Sequence, residues 1–172
     1  MSRISPVVEQ AINEQINNEL FSFYSYLAMS AYCEHQQFAG CAQWLRMQSE
    51  EELAHAMRLY TFLIARGGRV KLAPIEQPTV EYDSITEVFA IAYEQEQRVT
   101  EQIESLYELA FAEKSFAALV ELEWFIREQV EEEKTAREIV HQFRFVQDDP
   151  ASLLDLDREL GTRTTATSDP AE

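Results

Sequence analysis

The chain is poor in the residues that interrupt helices, with four glycines and five prolines among 172 residues. Its two cysteines, Cys33 and Cys41, form neither a CxxC pair nor a disulfide framework, so we expect free or buried thiols. No stretch approaches the roughly 18 apolar residues that cross a bilayer, and the N-terminal residues lack the apolar segment of a secretory signal. These absences argue against a disulfide scaffold and a membrane span, and they favour a cytoplasmic protein.

Basic residues are also scarce. Fourteen Lys and Arg residues face 31 Asp and Glu residues, which leaves a formal net charge of −17 at pH 7. Such a surface repels nucleic-acid phosphates and anionic membranes, so neither is expected as a partner. Because 46% of the residues are hydrophobic, the chain can still bury a sizeable core. The acidic excess fits either simple solubility or a protein that handles cations.

Glycine and proline fall between long stretches rich in Glu, Gln, Ala and Leu, which predicts an all-α chain of four long helices and a short fifth one. Residues 67–82 have no helical period and can span about 45 Å at roughly 3.3 Å per residue, enough to return the third helix to the end where the second began. We therefore predict a four-helix bundle with residues 1–161 as one domain and 162–172 as a flexible polar tail. The predicted helices cover residues 6 to about 36, 40–67, 84 to about 112, 116 to about 146, and 150–161.

Each long helix carries an apolar seam at alternating spacings of three and four, and each seam has a carboxylate near its middle. These carboxylates are Glu19, Glu52, Glu96 and Glu132. An ionised group buried alone costs several kcal/mol, and no Lys or Arg lies on the seams to neutralise the four acids. Two divalent cations would balance the charge. The fourth seam can instead be drawn through Glu128, which leaves Glu132 the weakest of the four assignments.

His55 lies three residues after Glu52, so both side chains project from the same helical face. Glu-x-x-His on one bundle helix, with single Glu residues from two others, is the pattern of di-iron and di-manganese carboxylate bundles. Gln129, on the fourth seam, is either a ligand or a hydrogen-bond partner of one. Tyr26, seven residues after Glu19 on the same face, is either core packing or a redox partner of the metal site.

A second group of acids lies one step off the seams, at Glu51, Glu128 and Glu131. Like charges three and four residues apart on a helix repel each other, so the acids of the fourth helix destabilise it unless something screens them. Solvent and Lys134 could provide that screening. Our hypothesis is that the three acids form a third, weaker cation site beside the first two.

Four segments resemble the signature segments of the bacterial non-haem ferritins, in order and spacing, and the resemblance covers nearly the whole chain. It implies a ferritin-like bundle that oxidises Fe(II) with dioxygen or peroxide and stores ferric mineral inside a homo-oligomeric shell of 24 subunits. The fifth helix would then pack around an axis of the shell. The matching segments are Asn13-Glu-Gln-Ile-Asn-Asn-Glu19-Leu, Glu51-Glu52-Leu-Ala-His55, Glu96-Gln97 and Glu128-Gln129-Val-Glu131-Glu132-Glu133-Lys134.

The resemblance also implies roles for the site residues. Glu19, Glu52 and His55 would bind a first iron ion. Glu52, Glu96 and Glu132 would bind a second, with Glu52 as the bridge between the two. The resemblance also places the Gln129 amide and the Tyr26 phenol beside this pair. A third iron site would consist of four acids, Glu51, Glu128, Glu131 and Glu132.

Related families with other cofactors fit less well. A haem-binding bacterioferritin would carry a second Glu-x-x-His on the fourth helix and a Met where this chain has Leu53, so we expect no haem. A DNA-coating mini-ferritin usually lacks a fifth helix, and a rubrerythrin would add a CxxC iron domain. The alternatives that stay open are a di-iron oxidase or oxygen-detoxifying bundle that stores no mineral, and an acidic metal-buffering or purely structural bundle.

Overall fold

The computed structural model describes residues 4–147 and 149–164, and within them the chain forms five α-helices and no strand. The predicted all-α fold with a short fifth helix is confirmed. None of the described helices has an apolar stretch that could cross a bilayer. Residues 165–172 of the predicted tail lie outside the described residues. The helices are α1 (Pro6–His35), α2 (Ala39–Ala65), α3 (Ile85–Ala112), α4 (Phe116–Val146) and α5 (Pro150–Leu160).

Helices α3 and α5 begin at the capping signals in the sequence. The Ser84 hydroxyl accepts a hydrogen bond from the Glu87 backbone N–H at 3.0 Å, and the Glu87 carboxylate reaches back to the Asp83 backbone N–H at 2.5 Å. The Asp149 carboxylate accepts from the Ser152 backbone N–H at 2.9 Å. These bonds satisfy backbone donors that the first turn of a helix leaves without partners, which fixes where each helix starts.

The connection between α2 and α3 runs back along α1. Near its start, the Asn13 side chain accepts from the Lys71 backbone N–H at 2.6 Å and donates to the Arg69 carbonyl at 3.0 Å. Near its end, the Tyr32 hydroxyl donates to the Tyr82 carbonyl at 2.7 Å. Asn13 and Tyr32 are about five helical turns apart, or roughly 28 Å. The connection therefore returns the chain to the end of the bundle where α2 began, as the sequence predicts.

The sequence predicts that Gly40 marks the short turn into the second helix, and the structure places it elsewhere. The turn before α2 consists of residues 36–38, with Gln37 in the left-handed region at φ 65°, so Gly40 lies inside the helix. A Cβ atom on Gly40 would overlap the backbone carbonyl oxygen of Asp157 in α5. The Asp157 carboxylate in turn accepts from the Cys41 backbone N–H at 2.8 Å. The missing side chain therefore lets α5 dock against the start of α2.

The apolar core consists of two clusters separated by a polar layer. One cluster contains Trp44, Phe89 and Phe143 and lies at the end where α3 begins and α5 docks. The other contains Leu59 and Phe125, towards the opposite end. Each of the four long helices has buried polar residues between the two clusters. They include Glu19, Gln48, Glu52, His55, Glu96 and Gln129.

Candidate metal centre

Three side chains from α1 and α2 converge in this polar layer. Glu19, Glu52 and His55 each offer one ligand atom, and these atoms lie within 4.8 Å of one another. The His55 Nδ1 atom is 3.6 Å from Glu52 Oε2 and 4.0 Å from Glu19 Oε2, which is too long for hydrogen bonds. A metal ion at about 2.1 Å from each ligand separates the ligand atoms by roughly 3 to 4 Å, so the spacing fits such an ion.

The hydrogen-bonding groups of this cluster are largely unpartnered. Among the described residues, both oxygens of Glu52, Oε2 of Glu19 and Nδ1 of His55 have no hydrogen-bond partner, although the three residues are at most 5% exposed. The other oxygen of Glu19 accepts from Gln15 Nε2 at 2.8 Å. Native proteins rarely leave buried polar groups unpaired, because each one costs desolvation free energy. A cation would satisfy all four atoms together, so the residues present fit a bound metal ion.

Glu96 approaches the cluster from α3 and is held by two donors. The Tyr26 hydroxyl donates to Oε1 in a short hydrogen bond, and Gln129 Nε2 donates to Oε2 at 3.2 Å. The Gln129 nitrogen also lies 3.3 Å from the Glu96 backbone carbonyl and 3.4 Å from Thr100 Oγ1. The amide nitrogen of Gln129 thus contacts a ligand residue directly, and metal ligation by Gln129 stays a prediction. Tyr26 is fully buried and contacts the site directly.

Glu132 completes the set from α4, and it is only partly buried. Its Oε2 atom accepts from Gln48 Nε2 at 2.8 Å. Neither Glu132 nor Glu96 belongs to the three-residue group of potential ligands, but the charges of both raise the pKa of Glu52. The structure thus brings the five expected ligands into one electrostatic cluster, of which Glu19, Glu52 and His55 are positioned for a shared ion.

Burial is the largest cause of a raised pKa in all four carboxyl groups. The pKa values of Glu19 and Glu52 lie well above the ordinary value, and neighbouring carboxylates raise them further. Burial also raises the pKa of Glu96, against the hydrogen bonds that lower it, and it raises the pKa of Glu132 to about 7. Burial and mutual repulsion disfavour four negative charges at one place, so any protons that the folded chain retains there must leave when a cation binds.

The structure does not show the expected third site. Glu51 and Glu128 are partly buried and Glu131 is exposed. None of the three belongs to a metal-sized group of ligand atoms among residues 4–147 and 149–164. Glu51 instead pairs with Arg163, at 2.7 Å from Oε2 to a guanidinium nitrogen. The third site therefore stays a prediction.

Three side chains near the site had no role assigned from the sequence. Gln15 contacts Glu19, and Gln48 contacts Glu132. Gln15 lies four residues before Glu19 on α1, and Gln48 lies four residues before Glu52 on α2. Helical spacing could therefore have indicated both glutamines. Arg163 is 112 residues from Glu51 in sequence, and only the docking of α5 brings the two together.

Aromatic side chains enclose the outer side of His55. The rings of Trp124 and Phe125 meet the imidazole edge-on at centroid distances of 5.3 and 5.9 Å. The guanidinium of Arg58 lies 4.2 Å from the centre of the Trp124 ring and pairs with Glu121 at 2.6 Å. These contacts fix the imidazole orientation and limit water access, which strengthens electrostatic interactions at the centre.

Comparisons with known proteins agree with this geometry. Residues 9–146 match the family model of the ferritin-like domain. The chain is 36% identical over 162 residues to a probable bacterial non-heme ferritin-like protein of Haemophilus influenzae, covering 94% of this chain and 98% of that protein. It is 35% identical over 155 residues to a bacterial non-heme ferritin of Staphylococcus aureus, covering 90% and 93%. A solved open-pore ferritin of Archaeoglobus fulgidus superposes with a TM-score of 0.93 at 44% identity, covering 95% of this chain and all of that one.

Proposed function

This chain belongs to the ferritin family, and on that premise we propose that it oxidises Fe(II) at the buried Glu19, Glu52 and His55 cluster and stores the ferric product. The observation that carries the proposal is the set of unpartnered carboxylate and imidazole atoms inside the bundle. Oxygen-rich ligands with one imidazole accept Fe(II) and stabilise Fe(III) more strongly, which favours oxidation.

We assign two iron substrates to each chain. Glu19, Glu52 and His55 bind the first ion, and Glu52, Glu96 and Glu132 bind the second. Two Fe(II) ions held side by side give up one electron each, and these two electrons with two protons reduce dioxygen to hydrogen peroxide. Glu52 bridges the pair, and this role is supported by its position, because both of its oxygens are buried and neither has a partner.

The neighbouring side chains orient the ligands. Tyr26 and Gln129 hold the two oxygens of Glu96, and Gln15 holds one oxygen of Glu19. Burial and the charge of Glu96 raise the pKa of Tyr26 well above its ordinary value, so the phenol stays protonated and remains a donor. Its oxidation during turnover is a further prediction.

The acids Glu51, Glu128 and Glu131, together with Glu132, form a third and weaker iron site in this proposal. Their support is the concentration of acidic side chains beside the pair. Iron leaving the pair towards a mineral would meet these acids first.

Storage requires a cavity that a single bundle cannot enclose, so we propose that the chain assembles into a shell of 24 subunits in the cytoplasm. Apolar side chains that stay exposed on one chain support burial against further copies. Examples are Phe111, Phe116 and Phe145, with exposed fractions of 69, 72 and 81%. On α5, Leu154 is 47% exposed.

The oxidation step is tested by adding Fe(II) to the protein in air and following ferric absorbance. Glu52→Ala and His55→Ala should slow oxidation towards the rate without protein. Glu50→Ala is the matched control, because Glu50 is an exposed acid on the same helix. Equal rates in all four proteins would overturn the assignment.

The storage step has its own measurement. Light scattering gives the particle size, and iron analysis after repeated loading gives the iron held per chain. A large particle holding far more iron than its own metal sites supports storage. A small particle that oxidises Fe(II) and retains only its site iron would identify a non-storing oxidase instead.

A further inference from the structure

Arg163, three residues after the end of α5, is fixed beside the metal centre by three contacts. One guanidinium nitrogen donates to Gln48 Oε1 at 2.6 Å, and another donates to Glu51 Oε2 at 2.7 Å. The guanidinium carbon also lies 4.8 Å from the centre of the Trp44 ring. The side chain is only 23% exposed. A planar guanidinium with two directed hydrogen bonds and an aromatic neighbour is held in one orientation.

The two hydrogen-bonding partners of Arg163 both lead to the metal centre. Gln48 uses its oxygen to accept from Arg163 and its nitrogen to donate to Glu132. Glu51 directly precedes Glu52, and its charge raises the pKa of both Glu52 and Glu132. Arg163 thus lies between the proposed iron pair and the three acids of the proposed third site, Glu51, Glu128 and Glu131, which we call the outer acids.

Glu51 differs from the other outer acids because it forms an ion pair with a side chain of the protein, Arg163. Within the described part of the chain, Glu128 and Glu131 have no ion pair and no side-chain hydrogen bond. A metal ion bound by all three outer acids would need the Glu51 carboxylate, and Arg163 already holds one of its two oxygens. Two cations sharing that carboxylate would repel each other at close range.

We propose that Arg163 is a tethered competitor for the third cation, so that an ion binds at Glu51 only when the guanidinium is displaced. The inference rests on the proposed function, because it concerns the third site of that centre. Displacing Arg163 also releases the oxygen of Gln48, whose nitrogen holds Glu132. The segment after α5 therefore sets the affinity of the outer acids and links their occupancy to the orientation of one ligand of the pair.

The test uses equilibrium dialysis of the full-length, iron-stripped protein with Zn²⁺, which is redox-inert and accepts carboxylate and imidazole ligands. Arg163→Ala should bind its weakest ion roughly tenfold more tightly than the wild type, since charge-assisted hydrogen bonds of this kind contribute on that scale. Arg163→Gln removes the charge but keeps a polar side chain, and it should show the same gain in affinity. It replaces the alanine variant in the test if that variant folds poorly.

Two further variants separate competition from a general loss of positive charge. Arg158→Ala removes an arginine of α5 that is 75% exposed and that, within residues 4–147 and 149–164, pairs with Asp155 alone, so Zn²⁺ binding should not change. Arg163→Ala combined with Glu51→Gln should show no gain over the wild type, because the released carboxylate is gone. Superimposable isotherms for the wild type and both Arg163 variants would overturn the proposal. An equal gain in Arg158→Ala, or a gain that persists without the Glu51 carboxylate, would do so as well.

The same titration separates this inference from the proposed function. Glu52→Ala should abolish the tightest Zn²⁺ binding in any Arg163 background. If Glu52→Ala leaves the tight ions in place, the proposed centre fails. The inference about Arg163 fails only if the affinity for the weakest Zn²⁺ ion is the same in the wild type and in the Arg163 variants.

Discussion

Replacing Glu52 by glutamine should stabilise the metal-free protein while abolishing its metal binding. The Glu52 carboxyl is 1% exposed, and neither of its oxygens has a hydrogen-bond partner in the described part of the chain. Its pKa is raised well above the ordinary 4.5, mainly by burial and then by Glu96, so the folded chain holds a proton that the unfolded chain releases. The substitution to Gln keeps the shape of the side chain and removes this protonation cost.

The magnitude follows from the pH. Above pH 4.5 the unfolded state binds fewer protons than the folded state, so the stability of the wild type falls with rising pH until the folded carboxyl also ionises. The cost is about 3 kcal/mol, the scale of leaving one charged group buried without a partner. The new amide offsets roughly 1 kcal/mol of the gain if one of its groups stays unpaired, although it can donate to the free oxygen of Glu19.

Thermal unfolding followed by circular dichroism, with a chelator present, measures this effect. Glu52→Gln should melt roughly 4 to 8 °C above the wild type at pH 7, and the difference should shrink towards pH 5. Adding Zn²⁺ should reverse the order, because only the wild type gains binding free energy. Glu50→Gln is the matched control on the exposed side of α2 and should melt with the wild type at every pH. A Glu52→Gln variant that is less stable than the wild type at pH 7, with a difference independent of pH, would refute the reasoning.

Three other substitutions test separate parts of the structure. Tyr26→Phe removes the hydrogen-bond donor to Glu96, so the weaker of the two tight Zn²⁺ ions should bind roughly tenfold less tightly in calorimetric titrations, and unchanged affinity would count against the contact. Gly40→Ala places a methyl group on the carbonyl oxygen of Asp157. It should undock α5 and reduce particle size in light scattering with little loss of helicity, whereas a full-size particle would contradict this packing. Glu132→Gln should release fewer protons than the wild type when Zn²⁺ binds at pH 6, because the pKa of Glu132 is raised to about 7 and its carboxyl is still protonated at pH 6. An indicator dye measures the release. Equal release from the two proteins would argue against Glu132 as a ligand.

Local signals in the sequence predict most of the fold. The Ser84 capping box and Asp149 mark helix starts that the structure reproduces, because capping depends on residues within one turn. The seams also place Glu19, Glu52 and Glu96 inside the bundle, as observed. All three interrupt apolar periods that are long enough to fix the buried face of a helix.

Helical phase is less reliable near the edges of a seam. Spacings of three and four residues extend the seam from Glu19 to Phe23 on α1 and from Leu59 to Phe62 on α2. Both phenylalanines are only partly buried, whereas the neighbouring Ser22 and Leu63 are buried. A helix that twists slightly against its partners shifts the buried face by about one position, and one sequence does not encode that twist explicitly.

The contacts that depend on α5 could not be predicted. Gly40 and Arg163 both owe their roles to the way α5 docks on α2, and that docking joins residues more than a hundred positions apart. Neither residue stands out in a local pattern. The carboxylate–histidine cluster is the opposite case, since buried acids are costly enough to be conspicuous wherever they interrupt an apolar seam.

The most direct measurement is an anomalous diffraction map, at the iron absorption edge, of crystals of the full-length protein soaked in Fe(II) without oxygen. We expect two peaks inside each bundle, one between Glu19, Glu52 and His55, and one between Glu52, Glu96 and Glu132. A map with iron only at surface acids, and no peak in contact with Glu52, would contradict the proposed centre.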